Sequence, residues 1–193
     1  MRETLIRELF KWKIFSKKLL LLSILLFFLL NVSGQTQERL LTITTGSFPI
    51  FLFNTLDEIT TTGIEYTSYT RLNVHFVDED AGGNLTGVQW KLSVQAATPT
   101  IEGTGGNFMA LDKIEIRIVS VTAGRGDIVA LPVNAGNYFE LPAISQDVVE
   151  NGINGFSDTE IVIEYRVGFP PNVMAGELPD FYMAFIEFRL QQQ

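Results

Sequence analysis

The sequence has no cysteine and a single histidine, His75, and these two shortages remove several classes of chemistry at once. Without thiols there is no disulfide framework, no cysteine nucleophile and no zinc site of cysteine and histidine ligands. A serine nucleophile needs a base beside it, and the one histidine sits in Leu72-Asn73-Val74-His75-Phe76, on the phase opposite to Leu72, Val74 and Phe76. That phase faces water, so His75 is read as an exposed strand residue. Gly155-Phe156-Ser157-Asp158 does not complete a nucleophile elbow. Positive charge is also scarce, with 14 Lys and Arg against 22 Asp and Glu, a net charge of −8. A nucleic-acid partner needs a basic surface that this balance does not supply.

Long apolar runs are missing except at one place. Leu19 to Leu30 is apolar apart from Ser23, and it follows a leader carrying Arg2, Arg7, Lys11, Lys13, Lys17 and Lys18. A transmembrane helix takes about 20 apolar residues, so this run is short for a span and has the length of a signal-peptide core. Val32, Ser33 and Gly34 are small and precede Gln35, which predicts cleavage after Gly34. The expected organisation is a signal helix over residues 1–34 and one domain over residues 35–193, exported to the cell surface, the envelope or the medium. Contact with the membrane is expected only through the signal segment before it is cut. Removing the leader's six basic and two acidic residues leaves eight basic and twenty acidic, a net charge near −12. Such a domain repels anionic surfaces at low salt.

Period-2 alternation dominates beyond residue 60. In Val88-Gln89-Trp90-Lys91-Leu92-Ser93-Val94-Gln95-Ala96 every even position is apolar and every odd one polar, the pattern of a strand with one buried face. Ile114, Ile116 and Ile118 alternate with Lys113, Glu115 and Arg117. Ile161, Ile163, Tyr165, Val167 and Phe169 bracket Glu164 and Arg166, and Ile186, Phe188 and Leu190 bracket Glu187 and Arg189. Ile64 to Phe76 forms a longer run, and Leu40–Thr44, Phe51–Phe53 and Ile128–Val133 are shorter candidates. Ser145 to Asn151 is the one place where a helical turn is expected after the signal. Gly- and Asn-rich turns separate the runs, at 80–84, 103–107, 124–127, 134–137 and 151–155. The expectation is an all-β protein, an immunoglobulin-like antiparallel β-sandwich of seven to nine strands, with Trp90, Leu92, Ile116, Tyr165 and Phe188 in the core. The mixed charges on the outward phases read as a solvated face, with opposite signs paired across the ladder.

Candidate chemistry is thin. A glycosidase pair needs two acids about 5 to 9.5 Å apart with one raised pKa, and Glu115, Glu164 and Glu187 each have an arginine nearby that keeps them ionised. No enzyme and no cofactor are expected. Asp78-Glu79-Asp80-Ala81-Gly82-Gly83-Asn84 has oxygens for calcium, with Asp78 and Asp80 as the candidate ligands, yet Gln89 stands where an EF-hand needs glutamate, so a solvated hairpin turn is the plainer reading. Arg125-Gly126-Asp127 matches an adhesion tripeptide inside an ordinary turn, and Asn84-Leu85-Thr86 has the form of a glycosylation sequon. Aromatics that could serve as sugar platforms are Phe48, Phe51, Phe53, Tyr66, Tyr69, Tyr138, Phe139 and Phe169, most of which a sandwich core would consume.

Gly87-Val88-Gln89-Trp90-Lys91-Leu92-Ser93-Val94 resembles the tryptophan-x-leucine strand of WxL-type bacterial surface domains, with Trp90 and Leu92 as the matching pair. Ala110 to Ile116 and Ala175 to Tyr182 resemble later segments of such domains, so the likeness extends loosely over 88–190. A second tryptophan-x-leucine motif is missing, since the only other tryptophan is Trp12 in the leader. The resemblance implies an immunoglobulin-like or fimbrial-type sandwich with structural or adhesive duties, whose partners are other surface proteins or cell-envelope polysaccharide. A secreted carbohydrate-binding module is the alternative. Gln35 to Thr45 has two open readings, pairing with its own sheet or with a neighbour's exposed edge.

Overall fold

Alternation becomes strand almost everywhere it was read, and the result is an all-β antiparallel sandwich. The structure is a computed structural model that describes residues 35–131 and 137–193. The expected leader with its cut after Gly34, the end of the Ile128–Val133 run, and residues 134–136 lie outside the described residues. Gln37–Asp78 and Leu85–Gln193 make one compact unit; Glu79–Asn84 belong to another, and their turn is described by itself.

In chain order the strands are β1 (Thr36–Thr45), β2 (Ile64–Glu79), β3 (Trp90–Ala96), β4 (Ile101–Gly103), β5 (Phe108–Met109), β6 (Ile114–Val121), β7 (Asp127–Ile128), β8 (Phe139–Glu140), β9 (Gln146–Gly152), β10 (Phe156–Val167), β11 (Tyr182–Met183) and β12 (Ile186–Gln192). Seven of these have seven residues or more, which falls within the expected seven to nine, although one of them, β9, stands where a helical turn was expected. The other five are two- or three-residue pairings that carry no alternation long enough to read. One sheet runs β1-β2-β10-β6-β8, a second β12-β3-β9-β7, and a small third β11-β4-β5.

The two larger sheets close on a shared interior. Leu72, Val74 and Phe76 of β2, Ile116 of β6, and Ile161, Ile163 and Tyr165 of β10 meet Trp90, Leu92 and Val94 of β3 and Val149 of β9. Trp90, Leu92 and Ile116 are fully buried, while Phe188 on the edge strand β12 is only half-buried. Burying such side chains contributes roughly 1.5–3 kcal/mol each, which is what holds a chain without cross-links together. Glycine is required opposite Trp90. In the β3–β9 ladder Trp90 pairs with Gly152, and a Cβ there would lie 2.0 Å from the indole.

Three local expectations are corrected. Ser145–Asn151 contributes no helical turn; it forms most of β9, because Val148 and Val149 are β-branched and buried against β3, with Leu92 opposite Val149. Phe51–Phe53 forms no strand and pairs with none. Tyr69 Oη donates to the Phe48 carbonyl at 2.9 Å and Tyr66 Oη to the Ile50 carbonyl at 2.5 Å, so hydroxyls take the place of a ladder. Two short helical turns do occur, Glu58–Thr62 and Leu111–Lys113. The first is announced by Thr55-Leu56-Asp57-Glu58. The Glu58 N–H donates to Thr55 Oγ1 at 3.1 Å while Glu58 Oε2 accepts the Asn54 and Thr55 N–H groups, a reciprocal cap. Those two backbone donors hold the Glu58 carboxyl below its usual value.

Strand β1 settles against β2 as the edge of the five-stranded sheet. Only Leu41 of its ten residues is even half-buried, and polar contacts hold the rest: Gln37 Nε2 to Asp78 Oδ1 at 2.7 Å, Glu38 Oε2 to His75 Nε2 at 3.0 Å, and Thr44 Oγ1 to the Arg71 carbonyl at 3.1 Å. His75 is on the outward phase, as read.

Candidate functional site

The small third sheet has one face in the core and one in water. Ile101 pairs with Met109 and both are buried; on the other face Met183, Glu102 and Phe108 stand in one row across β11, β4 and β5. The alternation continues past β11. Tyr182, Ala184 and Ile186 pack inward, while Phe181 (77% exposed), Met183 and Phe185 (63%) point out, joined by Phe108 at 65%. Single exposed apolar residues are unremarkable, but three phenylalanines and a methionine gathered on one sheet face form a patch of the kind that contacts partners.

Asp180 builds this face. Its carboxylate accepts the Gly105 N–H at 3.0 Å, the Asn107 side-chain amide at 3.0 Å, the Thr104 hydroxyl at 3.1 Å and the Phe181 N–H at 2.7 Å. The Gly105 N–H is the foremost reason its pKa lies below the usual aspartate value. A Cβ at Gly103 would stand 2.3 Å from that carboxylate, so the β4–β5 hairpin can wrap it only with glycine. Sequence reading placed the 103–107 turn but missed Phe108, Phe181, Met183 and Phe185. The signal was present: from 181 to 190 both phases are apolar until Glu187 and Arg189 restore the polar phase.

The aromatics singled out in the sequence have mostly structural places. Tyr138 and Phe139 are buried. Phe51, Tyr66, Tyr69 and Tyr165 form a chain of rings with centroids 4.9, 5.3 and 6.5 Å apart. Phe48 remains exposed, in phase with Ile50 and Leu52 along the extended strap.

Three of the charged side chains of β6 and β10 that were read as solvated are buried, which corrects the sequence reading for them. Glu115 is 2% exposed, Glu164 4% and Arg166 6%. Arg166 holds Glu115 through Nε at 2.5 Å and Nη2 at 3.0 Å, and Arg117 holds Glu164 through Nε at 2.8 Å and through Nη2. The pairs are direct cross-strand neighbours, as the alternation implied. What the sequence did not show is their cover. The Tyr138 ring lies 4.3 Å from the Arg166 guanidinium and 4.7 Å from that of Arg117, and the Phe169 ring lies 4.8 Å from Arg166. Tyr138 Oη donates to Glu65 Oε1 at 2.6 Å, and Ser68, in a bulge of β2 at φ 48°, donates its N–H to Glu164 Oε1 at 2.9 Å. Burial raises the Glu164 pKa, but Arg117 and Ser68 outweigh it and hold the group below its usual value. Burial and the Glu65 hydrogen bond push Tyr138 well above the usual tyrosine range. The network is a densely hydrogen-bonded, mostly buried assembly suited to rigidity.

At one end of the sandwich a second polar group gathers. Asn154 Oδ1 accepts the Asp78 N–H at 2.8 Å, and its Nδ2 donates to the Asp78 carbonyl at 2.7 Å and the Thr86 carbonyl at 3.0 Å. Thr86 Oγ1 lies 3.3 Å from that nitrogen and donates to Asp78 Oδ2, while Gln37 occupies Asp78 Oδ1. Trp90 Nε1 donates to the Ile153 carbonyl at 3.1 Å close by. Asp78, a calcium candidate, is thus met by protein donors. Asp80, the other, accepts the Asn84 and Gly82 N–H groups of its own turn at 3.0 and 2.8 Å, and these, Asn84 foremost, hold its carboxyl below the usual range. Among the described residues no group of three or more acidic or histidine side chains is placed to hold a metal ion.

Arg125-Gly126-Asp127 is tied to the body. Arg125 lies 3.4 Å over the Phe156 ring and pairs with Asp158 at 2.8 Å, while Asp127, in β7, accepts from Asn151 Nδ2 at 3.0 Å. In the sequon, Asn84 is exposed and the Thr86 hydroxyl is turned to Asp78. No model of a known protein family and no curated protein matches this chain.

Proposed function

We propose that this protein is an exported, non-enzymatic interaction module of the cell surface or envelope, and that it holds its partners through the phenylalanine face of the small sheet. The observation that carries the reading is the outward row of Phe108, Phe181, Met183 and Phe185, displayed by a hairpin that Asp180 fixes in place. Interaction surfaces are enriched in aromatic residues and methionine at their centre, and a rigid platform loses little entropy on binding. The edge strand β1, anchored mainly by polar contacts, supports a role as a subunit of a surface assembly, because an exposed sheet edge can add a strand from a neighbour. The likeness of Trp90 and Leu92 to the tryptophan-x-leucine strand of surface domains points the same way, as does the leader for the location.

The partners that fit are other surface proteins or cell-envelope polysaccharide; nucleic acid is disfavoured by charge. Three exposed phenyl rings on one face favour the second reading, a carbohydrate-binding module that stacks sugars on aromatic platforms.

Cell fractionation with amino-terminal sequencing tests the location: the reading requires an envelope or secreted protein beginning at Gln35, and a cytoplasmic protein with an intact leader overturns it. A variant carrying Phe108→Ser, Phe181→Ser and Phe185→Ser tests the face, with loss of envelope retention expected at unchanged fold. Affinity electrophoresis through soluble polysaccharides separates the two partner classes, since retardation that the variant loses selects the glycan.

A further inference from the structure

We infer that the partner held by the phenylalanine face is a basic protein segment whose arginine or lysine is taken by Glu102; this rests on the reading of that face as the binding surface. Met183, Glu102 and Phe108 stand directly opposite one another across β11, β4 and β5, so the carboxylate sits in the middle of the apolar row. Side chains paired in this way have Cβ atoms about 4.5–5.5 Å apart. A partner that covers Phe108 and Met183 therefore covers Glu102 as well.

Covering it carries a cost that only some partners can offset. The carboxylate is exposed, and among the described residues it accepts no hydrogen bond and makes no ion pair. Asp180 differs in this respect, since donors of the adjoining hairpin and the Phe181 N–H occupy its oxygens. Taking a charge out of water without a counter-charge costs more than the burial of neighbouring apolar atoms returns. The partner must bring the positive group with it. A cation set among phenyl rings gains a second contribution, because the ring face attracts it. An arginine does both, its fork meeting the two carboxylate oxygens while its plane lies on a ring.

A second copy of this chain does not fit. From Gln35 onward it has eight lysine and arginine residues, and seven of them are ion-paired with acids other than Glu102. The eighth, Arg39, donates to Gln192 Oε1 at 2.6 Å and lies against the Phe76 ring. Two copies of the same face would also bring Glu102 toward Glu102. A basic partner, by contrast, is drawn to a chain that carries eight basic and twenty acidic residues beyond the leader.

The form of the face favours protein over glycan. Phe181, Met183 and Phe185 recur every second residue through β11, the period at which an extended segment of a partner displays its own same-face side chains. Strand β11 is also the outer strand of its sheet, open to a segment laid along it.

Selection of a displayed random-peptide library on the full chain purified from the cell envelope or medium tests the inference. Glu102→Gln and the triple variant Phe108→Ser, Phe181→Ser, Phe185→Ser serve as counter-targets; all four positions are exposed, and thermal melts confirm the fold of each. The expected result is enrichment of peptides with arginine or lysine between apolar residues. These are expected to bind Glu102→Gln about tenfold more weakly, the size of one charge-assisted contact, to weaken as salt is raised, and to lose the triple variant altogether. Neutral apolar peptides held equally by the wild type and Glu102→Gln overturn the inference and leave the face as the binding surface. Peptides that the triple variant holds as well as the wild type does overturn both. Soluble chitosan is the glycan arm: retardation that Glu102→Gln abolishes, with no basic peptide enriched, assigns the site to an amino sugar and overturns the protein partner.

Discussion

Arg166 and Glu115 form a two-pronged ion pair, at 2.5 and 3.0 Å, on the face of the five-stranded sheet that points away from the apolar core, yet both side chains are buried. The rings of Tyr138 and Phe169 take the place of solvent over Arg166. Desolvated charges are expensive singly and tolerable only together.

Removal of one partner is therefore the severe change. Glu115→Ala leaves a buried guanidinium with its main counter-charge gone and is expected to cost about 3–5 kcal/mol. Replacing both, Glu115→Leu with Arg166→Met, is expected to recover most of that loss. Urea unfolding of the two variants checks this; a double variant as weak as the single one refutes the account.

The same network gives the protein two pH limits. Glu164 has a pKa below its reference of 4.5 in the folded state, so the stability it contributes is present above that reference and is lost as the pH falls through the lowered folded value. Tyr138 is displaced upward from 10.0, so its contribution is complete below that value and disappears as the pH rises through the raised folded value. Thermal melts across pH are expected to show both losses, and Tyr138→Phe to flatten the alkaline one.

Gly152 is the tightest point of the β3–β9 ladder. Gly152→Ala sets a methyl 2.0 Å from an indole carbon of Trp90 and must displace one or the other. Overpacking of this sort costs about 1–3 kcal/mol, and the Trp90 emission spectrum is expected to shift red as the ring moves toward water. An unchanged melting temperature and spectrum would contradict the packing described.

The phenylalanine face is expected to behave in the opposite way. Phe181→Ser and Phe185→Ser remove apolar surface that is already in water, so their effect on stability is expected to stay within about 0.5 kcal/mol. Binding of a hydrophobic dye or of a partner is expected to fall. A large loss of stability would show that these rings are part of the core.

How much of this was legible from residues depends on whether the determining contacts are local. Strand positions from Trp90 to Ala96 and from Ile161 to Val167 follow directly from alternation, and Trp90 and Leu92 fall in the core because their phase is uniformly apolar. The pairings Glu164 with Arg117 and Arg166 with Glu115 are implied once β6 and β10 are neighbours. Their burial is not, because the ring that covers both arginines is that of Tyr138, which is remote from β10 in sequence and belongs to no periodic segment, while Phe169, at the end of the alternating run, was read as one more inward position. Asn154 was read as a turn residue on composition alone. Its grip on Asp78 spans 76 positions of chain, a separation on which turn chemistry has no bearing.

Gln37 and Gln192 hydrogen-bond to each other at 3.3 Å, and Arg39 also reaches Gln192, at 2.6 Å. Strands from opposite layers thus start and finish at a common corner. A mechanical load that enters at Gln37 and leaves at Gln192 meets these few bonds first and peels the rim strands one hydrogen bond at a time, while the interior stays unstrained until the rim has opened. A body tethered at that corner behaves as a pendant, free to swing as a whole and shielded from tension along its length.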